Sequence, residues 1–244
     1  MEKLTCRLLP LAAADGPHNM AADEALLETA LNGIASFRCY TWSEPTLSLG
    51  YFQQAAARRQ DRLLSQLPLV RRPTGGGAIV HHFELTYALA LPAGSVWQGK
   101  EPWLERMHAL IAAALQAQGV PARLQPHAVQ AAEQPLCFRQ LTPGDVMVQT
   151  AKVVGSAQRR RKGALLQHGS ILLSTSPFAP ALSGIRELSG HSIAAPFLSE
   201  LLAAEIRHRT GFVLEPGKWS LAEQGRIGDL ARARYAHDSW NRKR

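Results

Sequence analysis

Cys137 and Lys152, fifteen residues apart in this 244-residue chain, are the pair whose types and spacing suit covalent chemistry. The reactive form of cysteine is the thiolate, and an ammonium close by favours it by lowering the thiol pKa. A thiolate nucleophile that forms a covalent intermediate splits one difficult step into two easier ones. Lys152 opens the segment K-V-V-G-S-A-Q, which ends at Gln158. Within it, Gly155 and Ser156 offer backbone that a substrate approaches closely, because glycine has no Cβ. Downstream, L-Q-H-G-S-I-L places His168 before Gly169. A lone strand histidine has either a structural role or a proton-shuttling one.

A second candidate stretch runs from Arg71 and Arg72 through Pro73 and Thr74 into Gly75, Gly76 and Gly77, then out through Ala78-Ile79-Val80 to His81 and His82. Three consecutive glycines cost backbone entropy. They make sense where the chain must hug a ligand or present several amide hydrogens to an anion or carbonyl. No Gly-Lys-Ser/Thr follows, so this is not a phosphate-binding P-loop. The amides near Gly75–Gly77 and near Gly155 and Ser156 are therefore candidate oxyanion donors.

Strands and turns must position these groups. Val146 and Val148 alternate with polar neighbours, residues 149–151 turn the chain, and residues 152–157 return antiparallel. A very basic turn is predicted at 159–163, then a long strand over 165–173 interrupted at His168 and Gly169. Upstream, residues 4–11 read as an edge strand. Asn19 reads as the cap of a packing helix, with Asp23 and Glu24 in its early, acid-favouring turn and Gly33 at its end. Strands follow at 36–41, with Phe37 and Cys39 on one face, and at 46–51, and a short amphipathic helix at 58–67. Residues 101–118 carry Trp103, Met107, Leu110, Ile111, Ala114 and Leu115 at helical spacing, as a core-facing stripe. A short strand at 120–124 and a polar loop at 127–135 then deliver Cys137. Short helices are expected over 177–188. A longer helix over 196–210 turns Phe197, Leu201, Leu202 and Ile206 inward. Ser220 and Glu223 form a capping box for a last helix reaching Tyr235.

Several of these segments together resemble the lipoate/biotin protein ligase superfamily. They are Cys137-Phe138, K-V-V-G-S-A-Q with its basic turn, L-Q-H-G-S-I-L, N-M-A-A-D-E-A-L-L from Asn19, W-S-E-P-T-L-S-L-G-Y-F-Q from Trp42, and R-R-P-T-G-G-G. E-L-T-Y from Glu84 is similar to the cysteine-dependent octanoyltransferases within it. The resemblance implies an α+β fold of mixed, largely antiparallel sheets packed with helices. It implies one catalytic domain over 1–244 with no accessory C-terminal domain. It implies transfer of an octanoyl group from octanoyl-acyl carrier protein to a lysine of a lipoyl domain, in the glycine cleavage H protein or a 2-oxoacid dehydrogenase E2. Cys137 would carry the thioester, and Lys152 would activate the thiol and position the acyl carbonyl. Arg72, Thr74, Gly75, Gly76, Gly77, His82, Gly155, Ser156, Ala157, Gln158, His168 and Gly169 would line the substrate site. No cofactor or metal is expected. The chain departs from the octanoyltransferase pattern at Gly77, often arginine, at Pro143-Gly144-Asp145, and at 149–151, which lacks a hairpin glycine.

Three other readings stay open. An ATP-dependent lipoate ligase would use ATP and magnesium, with Lys152 on an acyl-adenylate and Cys137 incidental. A lipoyl amidotransferase would share the thioester logic. A non-catalytic protein would bind carriers or nucleic acid through a basic face.

Composition narrows the class. A hydrophobic fraction of 46% is ordinary for a globular protein. No apolar run reaches bilayer-spanning length, and Cys6, Arg7 and Pro10 break the N-terminal apolar stretch, so neither a membrane span nor a signal peptide is expected. Cys6, Cys39 and Cys137 are too dispersed for a disulfide framework or a Cys-x-x-Cys metal site, which fits a reducing cytoplasm. The net charge of +8 gathers in residues 58–59, 71–72, 159–162 and 242–244. Such a surface suits an acidic partner. Acyl carrier proteins and lipoyl domains are of that kind, and the resemblance favours them over nucleic acid.

Overall fold

A computed structural model of the protein describes residues 4–94, 103–127 and 136–244. Nearly all of the predicted 127–135 loop, and the first two residues of the predicted 101–118 helix, lie outside the described residues. In chain order the strands are β1 (Thr5–Leu8), β2 (Ala12–Ala14), β3 (Ala35–Trp42), β4 (Thr46–Leu49), β5 (Leu69–Arg71), β6 (Ile79–His81), β7 (Glu84–Leu91), β8 (Ala122–Leu124), β9 (Val146–Val148), β10 (Ala151–Arg161), β11 (Ala164–Leu172) and β12 (Val213–Pro216). The helices are α1 (Gly16–Ala30), α2 (Arg62–Ser65), α3 (Trp103–Gln116), α4 (Ile185–Ser189), α5 (Ala195–Thr210), α6 (Leu221–Leu230) and α7 (Asp238–Asn241).

The main sheet runs β12-β1-β3-β7-β11-β10-β9-β8, with β2 beside the far end of β3. From β3 to β8 every pairing is antiparallel; β12, β1 and β2 pair in parallel. A three-stranded sheet, β5-β4-β6, stands apart from it. This is the mixed, largely antiparallel α+β architecture expected. Strand alternation sends Phe37, Cys39, Tyr87 and Leu89 to one face, against Trp103, Met107 and Ile111 of α3 and Leu202 and Ile206 of α5. Tyr40, Trp42, Ala88 and Leu166 go to the other, against Leu26 and Leu27 of α1 and Leu230 and Tyr235 near the C-terminus.

Several local expectations change. The first strand is not an edge, because β12 pairs with it on its outer side. Helix α1 starts earlier than predicted. Asp15 caps it by accepting from the His18 amide (2.9 Å), and Pro17 fits the first turn, where its missing N–H costs nothing. Asn19 thus sits inside the helix, buried, donating to the carbonyls of Ala14 (2.9 Å) and Thr41 (3.1 Å). Asp23 and Glu24 are buried mid-helix rather than solvated in its first turn. The predicted 58–67 helix is a 3-10 turn, Ala55–Gln60, followed by the single turn of α2. The 46–51 strand stops at Leu49.

In the β10–β11 hairpin, residues 159–161 belong to the strand. The turn is only Lys162 and Gly163, both at positive φ (+45° and +83°), the twist two-residue hairpins need. Strand β11 runs unbroken through His168 and Gly169, because β7 and β10 pair with it on both sides. The 177–188 region holds the start of one short helix, α4. Phe197 is 46% exposed on α5 instead of inward. Ser220 and Glu223 do cap α6 reciprocally (3.2 and 2.8 Å), and a π turn carries the chain on to Tyr235.

Candidate active site

The β9–β10 hairpin carries a bulge. Lys152 pairs with Met147 and Val154 with Val146, so one extra residue enters β10 between them. Without it, strict alternation would send Lys152 and Val154 to one face and Val153 to the other. Instead Val153 and Val154 are both fully buried in the core, while Lys152 reaches toward Cys137. Bulges recur beside functional sites because they re-aim a side chain in this way.

Cys137 begins a short 3-10 turn, Cys137–Arg139, and its amide donates to the Ala78 carbonyl (2.8 Å). The sulfur is half-buried and lies 3.8 Å from Lys152 Nζ. The ammonium also lies 2.9 Å from Asp145 Oδ2 and donates to the carbonyls of Gln140 (3.1 Å) and Cys137 (3.4 Å). Asp145 Oδ2 is anchored in turn by the Thr142 amide (2.7 Å) and hydroxyl (3.0 Å). Gly155 explains itself here. A Cβ on it would stand 2.6 Å from Lys152 Cε and 3.8 Å from the Cys137 sulfur. Gly77 does the same for the cysteine, since a Cβ there would meet the Cys137 amide nitrogen at 2.8 Å. The triglycine segment is therefore a seat for the cysteine as well as a wall.

Arg72 shapes that segment. Its guanidinium is buried and donates to Gly77 O (2.8 Å), Gly75 O (3.2 Å), Ser48 O (2.9 Å) and Ser48 Oγ (2.6 Å). Burial lowers its pKa to about 10, and negative charge on Cys137 acts in the opposite sense.

His168 sits in a chain of polar contacts. Its Nε2 is 2.6 Å from Thr74 Oγ1, and its Nδ1 is 2.7 Å from Asp23 Oδ2. Asp23 also accepts from Arg38 (2.7 and 3.1 Å) and from Tyr40 OH (2.9 Å). Burial would raise the Asp23 carboxyl, but Arg38 and His168 outweigh it and hold it below its usual range.

These groups border a narrow cleft. Of the residues expected from sequence, Cys137, Arg72, Gly75, Gly76, Gly155, Ser156, Ala157, His168 and Gly169 line it. Lys152, Thr74 and Gly77 stand directly behind, in contact with lining residues. Met20, Tyr40, Ile79, His81, Thr86 and Ser170 complete the wall. His82 is not brought in. It stacks on Phe83 (3.7 Å between centroids) and lies 3.2 Å from Ser176 Oγ, while its neighbour His81 faces the cleft. Gln158 also points elsewhere, donating to Gln167 Oε1 (2.7 Å).

Ser156 contributes backbone to the cleft, but its hydroxyl belongs to a buried relay with one direction. Gly144 O only accepts, so His108 Nδ1 carries the proton in that bond (2.6 Å). Burial lowers the His108 pKa to about 4, so the ring is neutral and its Nε2 accepts from Ser156 Oγ (2.5 Å). Ser156 then accepts from Tyr87 OH (2.6 Å), and Tyr87 from Gln167 Nε2 (2.8 Å). The relay thus ends on the residue that precedes Asp145. Asp145, Asp23, His108 and Glu84, like the lining residues Tyr40, His81, Thr86 and Ser170, are polar residues that sequence reasoning did not place at the site. Glu84, buried, accepts from Thr86 (2.6 Å) and Ser170 (2.5 Å). Among the described residues, no three His, Cys, Asp or Glu side chains gather as a metal site would require, and no helix is long and apolar enough to cross a membrane.

Residues 15–190 match the model of the lipoyl protein ligase A/B catalytic domain. The chain belongs to that family. Among family relatives, Octanoyltransferase LipM of Kyrpidia tusciae is 31% identical, with 97% of this chain and 98% of the relative covered. Octanoyltransferase LipM of Symbiobacterium thermophilum is 30% identical, with 98% of each covered. The fold of this family member is that of lipoate-protein ligase A bound with ATP (TM-score 0.76, 20% identity, 98% and 99% covered). It is also that of a bi-partite lipoate protein ligase from Thermoplasma acidophilum (TM-score 0.74, 17% identity, 99% and 97% covered).

Proposed function

We propose that this chain is an octanoyltransferase of protein lipoylation that works through a thioester on Cys137. One observation carries the reading: the Cys137 sulfur borders a cleft 3.8 Å from an ammonium that is itself fixed by Asp145. Relatives of matching length that bear the name octanoyltransferase support it. In the first half-reaction the Cys137 thiolate attacks the thioester of octanoyl-acyl carrier protein. The carbon–sulfur bond to the carrier breaks and the carrier thiolate leaves. In the second, the lysine amine of a lipoyl domain, in the glycine cleavage H protein or a 2-oxoacid dehydrogenase E2, attacks the S-octanoyl cysteine and forms the amide. A thioester is already activated, so this route consumes no ATP. Lys152 acts as a fixed cation beside the sulfur in both halves, and the backbone of the triglycine segment offers amides to the oxyanion. Arg72 positions that segment.

Intact-mass analysis after incubation with octanoyl-acyl carrier protein tests the proposal. The expected result is one added octanoyl group, removed by hydroxylamine and absent in Cys137→Ser. Acyl transfer to a lipoyl domain that requires ATP, magnesium and free lipoate, and survives Cys137→Ser, is the opposite result. An octanoylated H protein used as donor tests for amidotransfer.

A further inference from the structure

We infer that His168, backed by Asp23 and coupled to Thr74, is the base that takes the proton from the acceptor amine in the second half-reaction. The inference rests on the thioester reading above. A lysine amine has an ordinary pKa of about 10.4, so it arrives mostly as an ammonium and attacks only after losing a proton. Lys152 is poorly placed to accept it. Its own hydrogens point to Asp145, to Gln140 O and to Cys137, and a neutral amine there would leave the Asp145 carboxylate buried without its counter-ion.

The other titratable groups of the cleft are Arg72, Tyr40, His81 and His168. The Arg72 guanidinium remains a cation even with its pKa lowered to about 10. Burial and Asp23 push the Tyr40 phenol well above its ordinary value. His81 is stacked on Trp42 (3.8 Å), and burial pushes its imidazole below the ordinary value despite Glu84 3.4 Å away. Its Nε2 meets Ser48 Oγ at 2.7 Å, a hydroxyl that already accepts from Arg72. Burial, not a missing acceptor, is what disfavours a proton on His81, and its carboxylate partner stands farther off than Asp23 stands from His168.

His168 is surrounded differently. Asp23 accepts only, so the Nδ1 proton is fixed and Nε2 holds the lone pair. Thr74 is a hydroxyl, able to donate to the neutral ring and, after rotating, to accept from the charged one. The ring is thus satisfied in both protonation states, and the Asp23 carboxylate, itself held by Arg38 and Tyr40, stabilises the imidazolium. The same division of labour operates in hydrolytic triads of histidine, carboxylate and hydroxyl. The proton count closes. The ammonium gives one proton to solvent as it enters; the neutral amine nitrogen then bonds to the acyl carbon and gives a second proton, through the Thr74 hydroxyl, to His168 Nε2. The carbon–sulfur bond breaks with its electron pair on Cys137, facing Lys152. The imidazolium returns its proton to the carrier thiolate that leaves in the next turnover.

Separating the half-reactions tests the assignment. His168→Gln is expected to form the S-octanoyl adduct from octanoyl-acyl carrier protein but to pass it to a lipoyl domain about 100-fold more slowly, so the adduct accumulates. Hydroxylamine, whose nitrogen is already neutral at pH 7, is expected to clear that adduct at the wild-type rate, which a general structural defect would not allow. Adduct formation itself reports that the variant is folded. Thr74→Ser is expected to keep transfer and Thr74→Val to slow it. Wild-type transfer by His168→Gln, or equal slowing toward hydroxylamine and the lipoyl domain, overturns the role of His168. Absence of any adduct on the wild-type chain overturns the thioester reading itself, and the base with it.

Discussion

Asp145 Oδ2 lies 2.9 Å from Lys152 Nζ, and both side chains are almost wholly buried. The lysine beside the sulfur is therefore one half of an ion pair before any substrate arrives. Removing one partner of a buried pair leaves the other uncompensated and costs about 3–5 kcal/mol. Asp145→Asn is expected to lower the thermal midpoint and to slow octanoyl uptake together. Lys152→Met is expected to slow uptake at least as much. Calorimetry and the rate of adduct formation check both; a full-speed Asp145→Asn enzyme would remove the pair from the account.

The three cysteines should react very unequally. Cys6 and Cys39 are buried, and burial pushes both thiols up to about 12. Cys137 is half-buried beside an ammonium. Brief iodoacetamide treatment of the native protein at pH 7.5 is expected to add one label, at Cys137, and unfolding is expected to expose the other two. Peptide mapping by mass spectrometry reads the result. Prior octanoylation should block the native label.

Gly77 should not tolerate a side chain. A Cβ at 2.8 Å from the Cys137 amide forces the segments apart, and displacement of a reacting group by about 1 Å costs roughly 100-fold in rate. Gly77→Ala is expected to lose most of its transfer activity with a smaller change in stability. Gly225→Ala, in α6 away from the cleft, is the control, because nothing lies within 4 Å of a Cβ there.

His108 sets an acid limit. Its folded pKa is lowered to about 4 by burial, against an ordinary value of 6.5. The unfolded chain therefore binds a proton that the folded chain refuses. Stability from this group is complete above pH 6.5 and is lost as pH falls toward 4, by roughly 3 kcal/mol in all. Denaturant titrations of the wild type between pH 7 and 4 should show this slope, and His108→Gln should flatten it by about one proton. An unchanged slope would mean that other groups account for the acid loss.

Much of this site was legible where period and chemistry coincide. Val146, Val148 and the K-V-V-G-S-A-Q segment read as a hairpin because strand alternation is a strong local signal, and the hairpin is what brings Lys152 to Cys137. The misses share a cause. Local rules favour Asn19 as a cap and Asp23 as a first-turn acid, whereas Asp15-Gly16-Pro17 carries the true start signal. That four-residue offset hid Asp23, whose partners Arg38 and His168 lie on distant strands. His82 was expected in place of His81 because a strand face cannot be told from sequence without knowing which side is covered. The break expected at His168 and Gly169 followed from the glycine, but Gly169 is small because Tyr87 and Ser156 press against it from the neighbouring strands.

The extra residue in β10 has a consequence for how this hairpin can vary. Delete Val153, the residue the bulge adds, and strict alternation would return, so that Lys152 and the strand beyond it could no longer both keep their present faces. Length changes should therefore be far better tolerated at the hairpin tip of Lys162 and Gly163 than between Lys152 and Val154.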